Sequence, residues 1–562
     1  MPSCYCPRSW AARLGGIKAD RIGNILAPMK MALQYLPIRR WLLLGALLGV
    51  VLAGCATFRA DYPVAPSHAF DRPRETTLGK AYAQAESGHP GFSGFRLLNN
   101  GVSALLTRAA LADLAERSID VQYYIFDADD IGLFLMKRLI AAADRGVRVR
   151  IIIDDYLIGF DDATLARIDA HPNIEIRVFN PYPDRARWSR PLQMMFNLAT
   201  LGNRMHNKLF AVDGQAAVMG GRNLSNHYFE GESETNFRDM DVLAAGPVVA
   251  AVLKQYDTYW NEPIVVPVAA FGADAGDGNA ARAVEEAQAA LSPTTAAGVG
   301  AQTEYQRRKA EFERRVLRGA DDLVWAAVRP VTEPPVRQLP GAAKPSAEVA
   351  RALAIERQRT RGEFTMETAY FVPGERGVQV LSELTARGVR VRILTNSMAS
   401  TDVPAVHSGY SRYREALLAA GVELHEYRVD APRPIPSTQL LRFGRSDSAL
   451  HAKVVVHDRR MVWIGTANFD PRSRRINTET GLLIESEALA ARMLESMERD
   501  FSPAQSWRLL LETDAQTGMR RIVWVGAQDG APLRHTFEPG AGVMRQLRVL
   551  FYSLLPGIEE LL

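Results

Sequence analysis

Cysteine is nearly absent: the 562 residues contain three, and all of them, Cys4, Cys6 and Cys55, fall in the first tenth of the chain. The remaining body therefore has no disulfide framework and no thiolate metal site. Long hydrophobic runs are also missing. The one sustained apolar stretch, Trp41 to Ala53, follows Arg39-Arg40 and is short for a bilayer-spanning helix. Charge is not strongly of one sign, with 67 Lys and Arg against 63 Asp and Glu, a formal net of +4. That balance suits an anionic partner but does not choose between lipid and nucleic acid. No basic groove interleaved with stacking aromatics is evident, which argues against a nucleic-acid enzyme.

Against these absences stands a repeat. His206-Asn-Lys208, with Asp213 five residues beyond the lysine, recurs as His451-Ala-Lys453 with Asp458. Each copy is followed at the same offset by a Gly-x-x-Asn tail, Gly220-Gly221-Arg222-Asn223 and Gly465-Thr466-Ala467-Asn468. One such pattern carries little weight; two with matched tails are not accidental. The spacing predicts strands over 205–212 and 450–456. On a strand, residues two apart share a face, so His206 lies beside Lys208 and His451 beside Lys453. Asp213-Gly214 and Asp458-Arg459 mark the following turns, and a second apolar strand then leads to each tail. Two histidines and two lysines in matched geometry suit chemistry on a phosphodiester. One imidazole attacks phosphorus, the other protonates the leaving oxygen, and the ammonium groups and Asn223 and Asn468 neutralise the non-bridging oxygens. Asp213 and Asp458 belong to this candidate catalytic set, with an Asx turn as the competing role.

The duplicated motif resembles the phospholipase D superfamily, over roughly residue 95 to the C-terminus. The resemblance implies one active site built from both motifs, a phosphohistidine intermediate and no metal or other cofactor. It makes His206 the nucleophile and His451 the acid and base, although the local sequence is symmetric and leaves the exchange open. It also implies a carboxylate downstream of each tail to orient the histidines. Glu479 and Asp239 are the candidates, with Asp241 competing for the second place. The first tail departs from the superfamily pattern at Gly221, where a hydroxyl is usual.

The rest of the chain echoes the duplication. Ile119 to Phe126, a helical run and Arg145 to Ile153 are matched by Phe364 to Val372, a helical run and Arg387 to Leu394. This ordering predicts an α/β protein of two pseudo-symmetric halves, each a mixed sheet flanked by helices, with the active site at their interface. The expected divisions are a leader over 1–54, a tether over 55–94, the halves over 95–265 and 363–485, and a C-terminal segment over 486–562. Residues 266–362, glycine-dotted, then Glu/Ala/Arg-rich, then Pro-rich, read as a surface insertion between the halves. Two features have alternative readings. The stretch 181–205 carries Arg185, Arg187, Arg190 and Arg204 among Trp188, Met194, Met195 and Phe196, and is either a lipid-contacting lip or an ordinary basic loop. Met544, Leu547, Leu550, Phe551 and Leu554 share one helix face, for which core packing is the first expectation and a membrane foot the second.

Leu52-Ala53-Gly54-Cys55 resembles the lipobox of bacterial lipoproteins. That implies cleavage before Cys55, diacylation of its thiol, and a body tethered outside the cytoplasm in the cell envelope. The periplasmic face of the outer membrane is favoured because Ala56 follows the cysteine; an uncleaved anchor helix is the alternative. Met31 is an alternative start to Met1. Phrases such as Phe179-Asn-Pro-Tyr182, Asn468-Phe-Asp-Pro-Arg-Ser473 and Ile476-Asn-Thr-Glu479 resemble the bacterial C-type cardiolipin synthases. The resemblance implies transfer of a phosphatidyl group to phosphatidylglycerol, with phosphatidylglycerol or phosphatidylethanolamine as donor. Hydrolysis to phosphatidic acid is the alternative, a nuclease is further off, and the need for an accessory protein is left open.

Overall fold

The computed structural model describes residues 58–559 except 60–61, 230–234, 292–295, 319–321, 338–345, 432–446, 556 and 558. Cys4, Cys6, Cys55 and the apolar run 41–53 lie outside the described residues. Among those described, no helix is long and apolar enough to cross a membrane.

The first half contributes β1 (Ser93–Leu98), β2 (Ser118–Phe126), β3 (Arg148–Ile158), β4 (Ile174–Phe179), β5 (Leu209–Val212), β6 (Ala216–Gly220), β7 (Thr235–Arg238), β8 (Asp241–Ala245) and β9 (Val265–Pro267). Their sheet runs β9-β4-β3-β2-β5-β6-β8-β1, with β7 apart from it. The pairs β2/β3 and β3/β4 are parallel because a helix returns the chain between each: Asp130–Asp144 and Asp162–Asp169. Asp129 caps the first of these helices by accepting from the Gly132 N–H, and Gly146, at φ +92°, ends it. The second half repeats the plan with β10 (Val324–Thr332), β11 (Glu363–Thr368), β12 (Arg390–Asn396), β13 (Glu423–Tyr427), β14 (Asp447–Leu450), β15 (Lys453–His457), β16 (Met461–Gly465) and β17 (Thr480–Glu485). Here the order is β13-β12-β11-β15-β16-β17-β10, and Gly388, at φ +83°, ends the matching helix Gly374–Ala386. β18 (Ser506–Thr513), β19 (Arg520–Gln528) and β20 (Ala531–His535) extend this sheet beyond β13.

β10 corrects the expectation of a surface insertion over 266–362. Its first residues pair with β1 (Ala326 opposite Ser93) and its remainder with β17 (Ala327 opposite Glu485), so it joins the two sheets edge to edge. The helices of this region also pack inward, with Tyr305, Phe312 and Val316 in the first half's core. The Glu/Ala/Arg-rich composition concealed this because the helices bury a narrow stripe and expose the rest.

Side-chain alternation explains how the halves close on each other. Leu209 and Ala211 of β5 and Val454 and Val456 of β15 belong to one shared apolar core. Phe210 and Val212 face the first half's own core, and Val455 faces the second's. Strands buried on both faces account for the continuous apolar runs after each lysine. The helices Pro247–Trp260 and Glu487–Asp500 complete the shared core with Val252, Tyr256, Met493 and Met497.

Candidate active site

Each histidine sits where its chain leaves its own half and bonds to the other. The predicted strands begin later than expected, at Leu209 and Lys453, because the residues before them are committed elsewhere. Met205 forms a bridge with Thr478, and the His206 N–H donates to the Thr478 carbonyl at 3.0 Å. On the other side β14 pairs in parallel with β7, and the His451 N–H donates to the Arg238 carbonyl at 2.7 Å. Thr478 and Arg238 each precede a carboxylate. The consequence is an exchange: Nδ1 of His206 lies 2.9 Å from Glu479, and Nδ1 of His451 lies 2.6 Å from Asp239. The family resemblance implied both carboxylates but not this crossing.

The register explains why these two acids serve. Gly220 pairs with Asp241 across β6/β8, and Gly465 pairs with Gly481 across β16/β17. Two residues before each partner stand Asp239 and Glu479. One residue after each glycine stand Gly221 and Thr466. The Thr466 hydroxyl donates to Glu479 at 2.5 Å. At the equivalent point a Cβ on Gly221 would lie 2.2 Å from Asp239 Oδ1 and 2.7 Å from its Cγ. The departure at Gly221 is therefore room for a carboxylate rather than a lost phosphate contact. Asp241 is excluded from the orienting role: it binds Arg108 at 2.9 Å and Arg222 at 3.4 Å, fully buried.

Both lysines are buried beside the histidines. Lys208 donates to the His206 carbonyl at 2.8 Å, while the Lys453 ammonium lies 3.0 Å from Nδ1 and 3.2 Å from Nε2 of His451 and 2.5 Å from that residue's carbonyl. Burial depresses Lys208 to about 7, with Lys453's charge adding to the effect, and burial depresses Lys453 to about 8 against the pull of Asp239 and Glu479. Burial likewise lowers His206 to about 4, opposed by Glu479 and assisted by Lys208. His451 is held well below its usual range by burial, Lys453 and Lys208. Burial would raise Glu479, but His206, Thr466 and Lys208 outweigh it and keep it below the usual carboxylate range. Asp239 is raised by burial despite Lys453 and Arg222. The resting site thus has neutral imidazoles facing a crowded cationic pocket that an anion would relieve.

The other predicted residues divide. The Asn223 side chain accepts from the Ile125 N–H at 3.2 Å and donates to the Tyr228 hydroxyl at 2.8 Å, so it braces the pocket wall. Asn468 is buried in the second half, with its backbone N–H donating to Ser473. Asp213 and Asp458 are corrected from catalytic to structural. The Asp213 carboxylate accepts from the N–H groups of Glu116, Arg117 and Ser118, and Asp458 from those of Arg361, Gly362 and Glu363. Both turn residues have positive φ, +52° and +49°, and both carboxylates fasten a hairpin to the start of a neighbouring strand.

Four contributors were not foreseen. The Tyr124 ring meets His206 edge-on at 5.1 Å, and the Tyr228 ring meets His451 at 5.0 Å. Tyr124 was visible only as one of several strand aromatics. Arg337, inside the supposed insertion, donates to the Ser473 and Asn477 carbonyls and fixes the loop that delivers Glu479; Glu333 donates its backbone N–H to the Glu479 carbonyl at 2.8 Å. Nothing in the local sequence marks a basic side chain that serves chiefly backbone carbonyls, with the Glu333 carboxylate at 3.4 Å.

Comparison with known proteins agrees with this geometry. A family profile described as cardiolipin synthase, PLD-like domain, matches residues 109–260 and 355–501. Cardiolipin synthase C of Escherichia coli (strain K12) is 36% identical over 491 residues, covering 86% of this chain and 99% of that protein. Cardiolipin synthase B of the same strain is 25% identical over 392 residues, 69% of this chain and 76% of that one. Among solved structures, phosphatidylserine synthase of Haemophilus influenzae Rd KW20 superposes with a TM-score of 0.52 at 14% identity. It covers 86% of this chain and all of that one, a likeness of fold.

Proposed function

Because the chain belongs to the cardiolipin synthase family with phospholipase D-like domains, we propose that it transfers a phosphatidyl group to phosphatidylglycerol and so makes cardiolipin. The observation that carries this reading is the likeness to cardiolipin synthase C, which extends over 99% of that relative and embraces both halves of the site. The exchanged histidine–carboxylate pairs supply the chemistry.

His206 is the nucleophile. Glu479 accepts a hydrogen bond from the Nδ1–H and thereby leaves the Nε2 lone pair free for phosphorus. The asymmetry between the lysines supports the assignment: both bond their own histidine's carbonyl, but only Lys453 also lies against the ring nitrogens of its histidine, 3.0 Å from Nδ1 and 3.2 Å from Nε2. Binding of the donor's phosphodiester anion restores charge to both lysines and raises His451 towards protonation. Nε2 of His206 then forms a bond to phosphorus as the P–O bond to the leaving alcohol breaks, and the His451 proton passes to that oxygen. In the second step His451 takes the proton of the acceptor's glycerol hydroxyl. The new P–O bond forms, the P–N bond breaks, and His206 is regenerated. Asp239 keeps the His451 ring aimed through both steps. Bond energy is conserved in the phosphohistidine, so no nucleotide is needed.

Hydrolysis to phosphatidic acid is the second reading, because water could replace the acceptor alcohol at the same step. Phosphatidylethanolamine or phosphatidylglycerol serves as donor. The site lies outside the cytoplasm, tethered through lipidated Cys55. Leu52-Ala53-Gly54-Cys55 supports this; the expected tether over 55–94 is not a free linker, because the helix Thr77–Ser87 packs Leu78 and Tyr82 into the first half's core. The test is to incubate the full-length protein with phosphatidylglycerol vesicles, with and without phosphatidylethanolamine, and to follow products by mass spectrometry. Cardiolipin that disappears with His206→Ala and with His451→Ala supports transfer. Phosphatidic acid without cardiolipin overturns it in favour of hydrolysis.

A further inference from the structure

The C-terminal helix Val543–Ser553 is turned inside out. Val543, Met544, Leu547, Leu550 and Phe551 form one face that is 52–74% exposed, and Leu554 just beyond continues it at 74%. This corrects the expectation of core packing. Arg545 takes the inward direction instead, donating to the carbonyls of Met398, Ala399 and Thr401 at 3.2, 2.7 and 2.7 Å, with Val549 buried nearby. Glu538 before the helix bonds His407 and Arg414, and Glu559 after it bonds Arg412 and Tyr413. The apolar face is thus held outward by a helix fastened at its middle and at both ends. A helix that was simply loose would not spend buried polar contacts on that orientation.

A second apolar surface belongs to the first half. The stretch expected to be a loop forms short helices, chiefly Arg190–Phe196, and Trp188, Met195 and Phe196 stand 63–70% exposed on it. The arginines that suggested headgroup contact are mostly committed: Arg185 and Arg190 bind Asp155, and Arg204 is buried against Asp154. They position the apolar residues.

Each surface leads to the cleft. Tyr156, near the end of β3 beside this second surface, stacks on Tyr124, the ring that meets His206. The loop held by Arg545 continues to Asp402, which accepts from Tyr370 at 2.8 Å and whose charge acts on Lys453. Charge completes the pattern. No Asp or Glu occurs from 539 to 558 or from 185 to 212, while Arg548 lies in the first interval and Arg187 in the second.

We propose that the helix Val543–Ser553 and the short helix Arg190–Phe196 are two apolar feet that seat the catalytic cleft on an anionic phospholipid bilayer. The proposal rests on the lipid-transferring function, because a two-chain substrate enters a cleft most directly when its mouth lies against the leaflet. The feet supply contact that the N-terminal tether does not. A tether sets the distance from the membrane; the feet set the orientation of the site.

The test uses full-length protein in nanodiscs of phosphatidylglycerol and phosphatidylcholine doped with a phospholipid bearing a photoreactive acyl chain. The expected result is acyl-chain labelling of 543–555 and 188–198. Leu547→Glu/Phe551→Glu, both solvent-facing, should abolish labelling of the helix and slow turnover of bilayer lipid at least tenfold. Turnover of a dissolved short-chain phosphatidylglycerol should be unchanged. Absence of label from both segments in the wild type overturns the proposal, as does crosslinking of the helix to a second copy in its place. Equal loss on dissolved and bilayer substrate overturns it too. Labelling without turnover of any lipid would support the feet and count against the transferase reading, so the two failures are distinguishable.

Discussion

His206 and Glu479 are 273 residues apart in the chain, and their side chains meet at 2.9 Å in the centre of the molecule. His451 and Asp239 reciprocate across 212 residues. The active site is therefore not two half-sites placed side by side. Each half completes the other's histidine, and the same backbone crossing that delivers the carboxylate also anchors the histidine's own N–H. Duplication of the motif and fusion of the two sheets through β10 are parts of one arrangement.

Replacing Glu479 with Gln should leave the fold intact, since a side chain of the same shape still reaches His206 and Thr466. The amide cannot favour the Nδ1–H tautomer as a carboxylate does, so kcat should fall by roughly 10³-fold with little change in KM. Steady-state lipid turnover measures it. A loss below about tenfold would remove Glu479 from the orienting role.

Restoring the more usual hydroxyl at Gly221 should harm rather than help. The new Cβ would fall 2.2 Å from Asp239 Oδ1, a contact that must push the carboxylate off His451. Gly221→Ser and Gly221→Ala should both lower kcat by at least about tenfold, alike because the collision and not the hydroxyl is responsible. Serine activity equal to wild type would show that Asp239 has another place to sit.

What the sequence made legible follows from period and repetition. The His/Lys spacing placed each pair on one face, and the matched strand–helix–strand runs gave the two pseudo-symmetric halves. What escaped was non-local. Nothing within residues 200–225 says that Asp239 will serve His451 rather than His206, because the exchange arises from the β7/β14 pairing between segments more than 200 residues apart. β10 was hidden because its partners, β1 and β17, lie far off in the chain on either side. The final helix misled for a different reason: an amphipathic pattern gives the direction of the apolar face relative to the helix, not relative to the protein.

Asp213 and Asp458 should separate stability from chemistry. Asp213→Ala leaves three backbone N–H groups without their acceptor and a residue other than Asp or Asn at positive φ, costing about 2–3 kcal/mol. The more exposed Asp458→Ala should cost roughly 1 kcal/mol. In both, thermal unfolding should shift downward while kcat of the folded enzyme stays within about threefold of wild type. A kcat collapse in protein whose folding is unaffected would return these carboxylates to the catalytic set.

The pH profile follows from the buried cations. His206 must be neutral to attack, and it gains that form as pH rises through about 4, so kcat/KM should rise there. The lysines lose their protons as pH rises through about 7 and 8, and the phosphate then loses its counter-charges, so kcat/KM should fall across that range. A bound phosphodiester pulls the lysine values upward. The alkaline fall in kcat, read at saturating lipid, should therefore lie at higher pH than the fall in kcat/KM. Coincident alkaline limbs would mean that neither lysine faces the phosphate.

The division of labour between the histidines can be read with a substrate whose leaving group needs no proton. For a 4-nitrophenyl phosphodiester bearing a short acyl-glycerol, departure of nitrophenolate requires the nucleophile but not the acid. With His451→Ala, a burst of about one equivalent of nitrophenolate per enzyme should appear, and intact-mass measurement should find the phosphatidyl adduct, because the base that activates the acceptor is missing. With His206→Ala neither burst nor adduct should form. The Lys453 ammonium against the ring nitrogens of His451 is what breaks the apparent symmetry of the two motifs in favour of this assignment. The reverse pattern, an adduct on His451 in the His206→Ala protein, would mean that this contact opens on substrate binding and that the roles are exchanged.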